Sequence, residues 1–174
     1  MDQTPLIPAH PRQLTLAELQ QLYPLDFHID STTRAVTVSK AWQEARLVQI
    51  EVIPGHHATV HRAAAPTFNE WLRRARLVGA DKCIETVDGG FNPRFKRGLN
   101  VPVSEAGLSR HARGTAIDLN AHANPQGRPA VGLGHVGCVL PLVPLAYDLG
   151  IVWGGDWHGS SCDPMHFEIG REQR

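Results

Sequence analysis

The chain has 174 residues, of which 42% are hydrophobic, enough for one domain with a real core and too much for a disordered chain. Lys+Arg and Asp+Glu balance at 17 each, so the formal net charge is zero and the total shows no basic footprint of a nucleic-acid binder. No apolar run approaches the ~18–20 residues of a membrane span.

Residues 1–13 are Pro-rich and polar and read as a loose lead-in. They hold no charged stretch followed by an apolar one, which predicts cytoplasmic synthesis without a secretory signal peptide. Thr15 and Glu18 fit a capping box, so a helix is expected at about 15–22, ended before Pro24. The pattern from Asp26 to Val38 suits a β-hairpin with Asp30-Ser31-Thr32 as its turn. Leu47 to Ile53 alternates and closes at Pro54-Gly55, a further strand. His56, His57 and His61 sit beside that turn and read as surface loop.

Pro66-Thr67 opens a better helix, with Thr67 and Glu70 as a second capping box. Phe68, Trp71, Leu72 and Ala75 share one face, and Gly79 ends it. Residues 88–108 form a long loop with four glycines, two prolines and three basic residues. A loop of that length in a compact domain is usually functional. A last helix is expected at about 139–149, with Gly150 at its C′ position. Cys83, Cys138 and Cys162 are odd in number and irregularly spaced, which predicts reduced thiols.

Two segments carry chemistry. From Thr115 the run alternates, with Ala116, Asp118 and Asn120 on one side and Ile117 and Leu119 on the other. In Asp163-Pro-Met-His-Phe-Glu-Ile169, Met165, Phe167 and Ile169 form the core face, opposite His166 and Glu168. Two such strands side by side bring Asp118 and His166 together, and His111, in the preceding turn, closes over the same point. Two imidazoles and one carboxylate suit catalytic zinc, which takes three protein ligands and leaves a fourth position to water. Asp163, three residues before His166, could take the proton from that water. It could instead cap the turn before Pro164. Glu168 reads as a partner orienting a ligand imidazole or as an exposed carboxylate. Trp153 and Trp157 could line a groove or belong to the core. His122 and His158 lie near the ligand segments, and Cys162 is a candidate fourth ligand.

The pattern from Ser109 through His111 and Gly114 to Asp118, followed by Asp163 and His166, resembles the zinc peptidases of the hedgehog/D,D-peptidase fold. That group includes D-Ala-D-Ala dipeptidases and carboxypeptidases and the L-alanyl-D-glutamate endopeptidases of phage endolysins. The resemblance extends to Gly89–Gly98, which is similar to the group's arginine-bearing loop, and to Trp153–Trp157. It covers roughly residues 60–170. It implies one zinc ion per chain on His111, Asp118 and His166, with Asp163 as general base. Asp where the dipeptidase branch has Glu looks like the endopeptidase branch. Arg94 matches the arginine that stabilises the carbonyl oxygen, with Arg97 as its competitor, and Ser109, Arg97 and Trp157 would contact substrate.

The expected fold is one α+β domain, a small and mainly antiparallel sheet carrying the zinc site with helices packed on its other face. Residues 1–55 form an extension of helix plus strands with no assigned role, and 56–174 the peptidase domain, together one compact unit. The expected function is zinc-dependent hydrolysis of a peptidoglycan stem-peptide bond, L-alanyl-D-glutamate first. D-Ala-D-Ala carboxypeptidase is the in-class alternative, and a non-catalytic zinc-containing wall-binding module the alternative outside it. A monomer is expected that binds no nucleic acid and acts on the cell wall after release.

Overall fold

The computed structural model describes residues 10–98 and 100–172. In chain order the elements are β1 (Arg12–Gln13), α1 (Leu16–Leu22), β2 (Phe27–Ile29), β3 (Val36–Val38), α2 (Lys40–Arg46), β4 (Leu47–Ile53), β5 (His56–His61), α3 (Ala65–Val78), β6 (Val87–Gly89), β7 (Ala116–Leu119), α4 (Val143–Tyr147), β8 (Ile151–Trp153) and β9 (His166–Arg171). Strand β9 is the hub of an antiparallel sheet. It pairs with β7 from Asp118↔His166 to Ala116↔Glu168, with β8 from Trp153↔Phe167 to Ile151↔Ile169, and with β1 at Gln13↔Gly170. β6 extends the sheet beyond β7. β2–β3 and β4–β5 are separate hairpins.

The alternation expected of β7 and β9 is what builds the core. Ile117, Leu119, Phe167 and Ile169 are buried on one face, against Phe68, Trp71, Leu72 and Ala75 of α3. The Trp71 and Phe167 rings lie 4.7 Å apart, and Trp71 Nε1 donates to Leu142 O, so the indole is buried without an unpaired N–H. Each such side chain contributes roughly 1.5–3 kcal/mol of burial free energy. The α+β architecture is as expected: a small antiparallel sheet with helices against one face, and the other face free for Asp118, His166 and Glu168. Pro54-Gly55 is the turn of the β4–β5 hairpin, and the main core takes buried residues from both sides of it, from Leu14 to Ile169.

Several local expectations need correction. α1 has its capping box: Thr15 Oγ1 accepts from Glu18 N at 3.2 Å and Glu18 accepts from Thr15 N at 2.8 Å. α3 does not. It starts at Ala65, so Thr67 lies inside the first turn and Glu70 turns to Arg73 and Arg74 at 2.7 and 2.8 Å. Pro66 fills the first turn, where a missing N–H costs nothing. The loop expected at His56, His57 and His61 is strand β5, and His61 is 2% exposed. α2 was not anticipated; Ser39 caps it and Trp42 anchors it by donating to Pro24 O at 2.7 Å. The last helix is a 3-10 turn, Leu140–Leu142, followed by the short α4, and Gly150 (φ +70°) lies two residues beyond its C-cap Asp148.

Candidate metal centre

Asp118 and His166 are direct cross-strand partners in antiparallel β7 and β9, so their side chains leave the same face together. His111 comes from a 3-10 turn, Arg110–Arg113, that Ser109 caps and Gly114 ends at φ +67°. A Cβ at Gly114 would lie 2.6 Å from His61 N, so only glycine lets this turn sit on the end of β5. The three side chains are 1, 13 and 7% exposed for His111, Asp118 and His166.

The hydrogen bonds behind the two imidazoles decide what faces the middle. Gly90 O lies 2.7 Å from His111 Nδ1, and a carbonyl only accepts, so Nδ1 carries the proton. His166 Nε2–H donates to Glu168 Oε2 at 2.9 Å. That leaves His111 Nε2 and His166 Nδ1 as lone pairs, 3.2 Å apart and 3.1 and 3.0 Å from Asp118 Oδ1. Three acceptors at that spacing repel one another unless a positive charge lies among them. They could together hold a metal ion. Their spacing is close to the ~3.3 Å edge of a tetrahedron with bonds of 2.0–2.1 Å to nitrogen. With protons as the only cations, burial would lower the His166 imidazole, but Asp118 and Glu168 outweigh it and raise it to about 10. Burial likewise opposes the Asp118 carboxylate, and the two imidazoles outweigh it, holding the group well below the usual carboxylate range.

Glu168 is the orienting partner and not an exposed carboxylate. It is 1% exposed and also accepts from Arg110 Nε at 3.2 Å, while Arg110 Nη2 donates to Leu14 O at 2.7 Å. Arg110 carried no sequence signal beyond its place next to His111. Cys162, the candidate fourth ligand, is not in the group; its thiol faces Arg128 O at 3.2 Å. Asn120, expected on the site face, leaves the strand at φ +53° and ties Glu85 N, Thr86 N and Cys83 O instead. His158 is exposed, and His122 lines an adjoining open groove that also reaches Asp118.

A cavity of about 290 Å³ opens beside the metal donors, and Arg94, Arg97, Ser109, Trp157, Asp163 and His166 all line it. Among the described residues the turn-capping role expected as an alternative for Asp163 is absent: its Oδ1 is buried with no hydrogen-bond partner there, and its backbone carbonyl accepts from His166 N at 3.0 Å. Burial raises its carboxyl above the usual range, against the opposing pull of His166. Arg94 is half-buried; burial lowers its guanidinium, with Asp118 and Asp163 opposing, and it makes one long contact to Phe95 O at 3.3 Å. Trp157 lies 5.4 Å from the His166 ring, centroid to centroid. Trp153 is a core residue, its Nε1 bonded to Pro164 O at 2.8 Å.

Residues 103–169 match a family model described as D-alanyl-D-alanine carboxypeptidase. The matched segment, well under half of the chain, contains His111, Asp118, Asp163 and His166 and begins after Arg94 and Arg97. No curated protein and no solved structure gives a significant match.

Proposed function

We propose that this protein is a zinc-dependent peptidase of bacterial peptidoglycan that hydrolyses the stem-peptide bond between L-alanine and D-glutamate. One observation carries the reading: three converging lone pairs, one of them on His166, lie beside a cavity that His166 shares with Asp163, whose buried Oδ1 has no hydrogen-bond partner among the described residues. A structural zinc site needs no such base. The sheet with its site on one face suits the hedgehog/D,D-peptidase-like fold.

His111, Asp118 and His166 would hold one zinc ion. When bound, zinc supplies Lewis acidity, polarising a carbonyl and bringing the pKa of a water to about 7. Asp163 accepts a proton from the attacking water and returns it to the leaving amine. Its raised pKa makes it a better proton acceptor than an exposed Asp. Arg94 donates to the scissile carbonyl oxygen as it becomes anionic, a role that typically contributes ~2.7–4 kcal/mol. Ser109, Arg97 and Trp157 line the path of the peptide. The enzyme would act as a monomer on the wall after release from the cytoplasm.

The test is mass spectrometry of muropeptides after digestion with the zinc-loaded protein. New N-terminal D-glutamyl products are expected. Release of D-alanine alone would replace this reading with the carboxypeptidase, which the family match favours. Unchanged muropeptides with zinc retained would leave a binding module.

A further inference from the structure

Arg110 stands next to His111 in the 3-10 turn, yet its side chain serves the other imidazole. Nε donates to Glu168 Oε1 at 3.2 Å and Nη2 to Leu14 O at 2.7 Å, on the chain just after β1. Leu14 is a buried core residue, so its carbonyl is a fixed anchor. Glu168 is fully buried, and among the described residues each of its oxygens has one donor, Arg110 for Oε1 and His166 for Oε2. The backbone of Arg110 has a separate task. Its carbonyl accepts from Gly114 N and from Thr115 N and Oγ1, which closes the turn whatever side chain residue 110 carries.

We propose that Arg110 is a positioning residue for the metal: through Glu168 it sets which nitrogen of His166 faces Asp118 and His111. The inference rests on the metal part of the proposed function and not on the bond that is cut. The two imidazoles turn different nitrogens inward, Nε2 on His111 and Nδ1 on His166. For His111 the outer acceptor is a backbone carbonyl, Gly90 O, which the chain itself holds in place. For His166 it is a side chain with its own freedom. A half-turn of the His166 ring about Cβ–Cγ would put carbons where both nitrogens stand, and on the outer side Glu168 Oε2 is what tells the two orientations apart. The last torsion of a glutamate is broad, so a carboxylate held at one oxygen alone swings. Held at both oxygens it does not. Arg110 holds the second oxygen from a planar fork whose other arm is fixed at Leu14 O, a geometry that a lysine, a point charge on a flexible stem, does not reproduce.

The experiment compares the whole chain with R110M, R110K and E168Q. Zinc affinity is read by competition with a chromophoric chelator. In the metal-free proteins, proton NMR reads the His166 Nε2–H, identified as the ring N–H signal missing from H166N, and its exchange with water. R110M should keep a cooperative melt, lose zinc affinity about 10–100-fold and exchange this proton faster. R110K should fall between R110M and the parent. E168Q leaves Arg110 in place, but its single oxygen cannot serve Arg110 and His166 at once, so it should show both losses and carries the test if R110M fails to fold. Parental zinc affinity and parental exchange in R110M, or in E168Q where R110M is unfolded, would overturn the proposal. A raised KM for muropeptides with both readings unchanged would make Arg110, which also lines the cavity, a substrate contact instead. If the parent itself binds no zinc, the metal reading fails, while faster N–H exchange in R110M still supports the positioning of His166.

Discussion

At the scale of single residues, Asp163 and His61 are, among the described residues, the two buried groups with an unpaired side-chain polar atom, and they have different consequences. Asp163 faces the cavity. Asp163→Asn keeps its size and its hydrogen-bonding reach but cannot accept a proton. It should retain zinc and its melting temperature and lose hydrolysis by about 10²–10⁴-fold. Zinc content, thermal melting and lysis rate measured together check this, and a fully active Asp163→Asn protein would remove the base from the mechanism. His61 faces the core beside Tyr23 and Trp42. Its Nδ1 accepts from Ala63 N, and burial, with Arg46 and Arg113 adding, lowers it from 6.5 to about 4. The unfolded chain therefore takes up this proton below about pH 6.5 and the folded chain only near 4. Stability from this group is fully present above pH 6.5 and drains away as pH falls toward 4, by roughly 3 kcal/mol. Denaturant melts at pH 7 and pH 4.5 should show a smaller drop for His61→Phe than for the parent. An identical drop would show that His61 titrates normally.

At the scale of elements, the site was legible where one strand periodicity did two jobs. Ile117 and Phe167 must be buried, and in a pleated strand that alone sends Asp118 and His166 to the opposite face. His111 could be placed near them but not oriented, because its acceptor, Gly90 O, comes from a loop whose path no periodicity encodes. Strand β5 was missed because three histidines masked the alternation of Ala58 and Val60. α2 was missed because Trp42 is its one buried residue. The capping box at Thr67 failed because Ala64 and Ala65 extend α3 upstream of any side-chain cap. The loop's glycines have a specific reason. A Cβ on Gly90 would stand 2.6 Å from Thr59 O, and one on Gly89 2.9 Å from Asp118 Oδ2. Gly90→Ala must therefore push this segment off β5 and withdraw the carbonyl that fixes His111. Zinc affinity should fall about 10-fold or more. Gly132→Ala, with nothing nearer than 3.8 Å, is the matched control. Competition titration with a chromophoric chelator reads both, and equal affinities would show that the Gly90 contact does not matter to the metal.

At the scale of the molecule, the segment before β4 carries no motif, yet it receives the residues that frame the site. Arg110 donates to Leu14 O, Arg113 donates to Tyr23 O and pairs with Glu105, and Gln20 reaches Glu105 at 2.6 Å. Both arginines flank His111 in one 3-10 turn. On the other side, the β2–β3 hairpin packs Val36, Phe27 and Ile29 on Leu108, Ala112 and Phe95, and Arg34 lies 4.9 Å over the Phe95 ring. The loop that bears Arg94 and Lys96 is thereby pressed between the hairpin and the turn. Little of this could be read from the sequence: Arg110 and Arg113 reach backbone carbonyls, which any residue provides, 96 and 90 positions away. We expect the N-terminal segment to be part of the site's frame and not a separable wall-binding arm. A chain starting at residue 56 loses one acceptor of each arginine, Leu14 O and Tyr23 O, uncovers Leu108 and Ala112, and lacks β4, the partner of β5. Each guanidinium donor left without its carbonyl costs on the order of 1–3 kcal/mol, and the lost apolar cover adds to that, against a total stability of about 5–15 kcal/mol. The truncated chain should show no cooperative melt and no stoichiometric zinc. A milder probe separates framing from gross unfolding: Arg34→Ala removes the contact over Phe95 and the hydrogen bond to Val101 O, so it should leave zinc binding and the melt nearly unchanged while raising KM several-fold through a looser Arg94 loop. If the chain from residue 56 melted cooperatively and bound zinc like the whole protein, the N-terminal segment would be an independent unit, and its role would have to be sought outside the site.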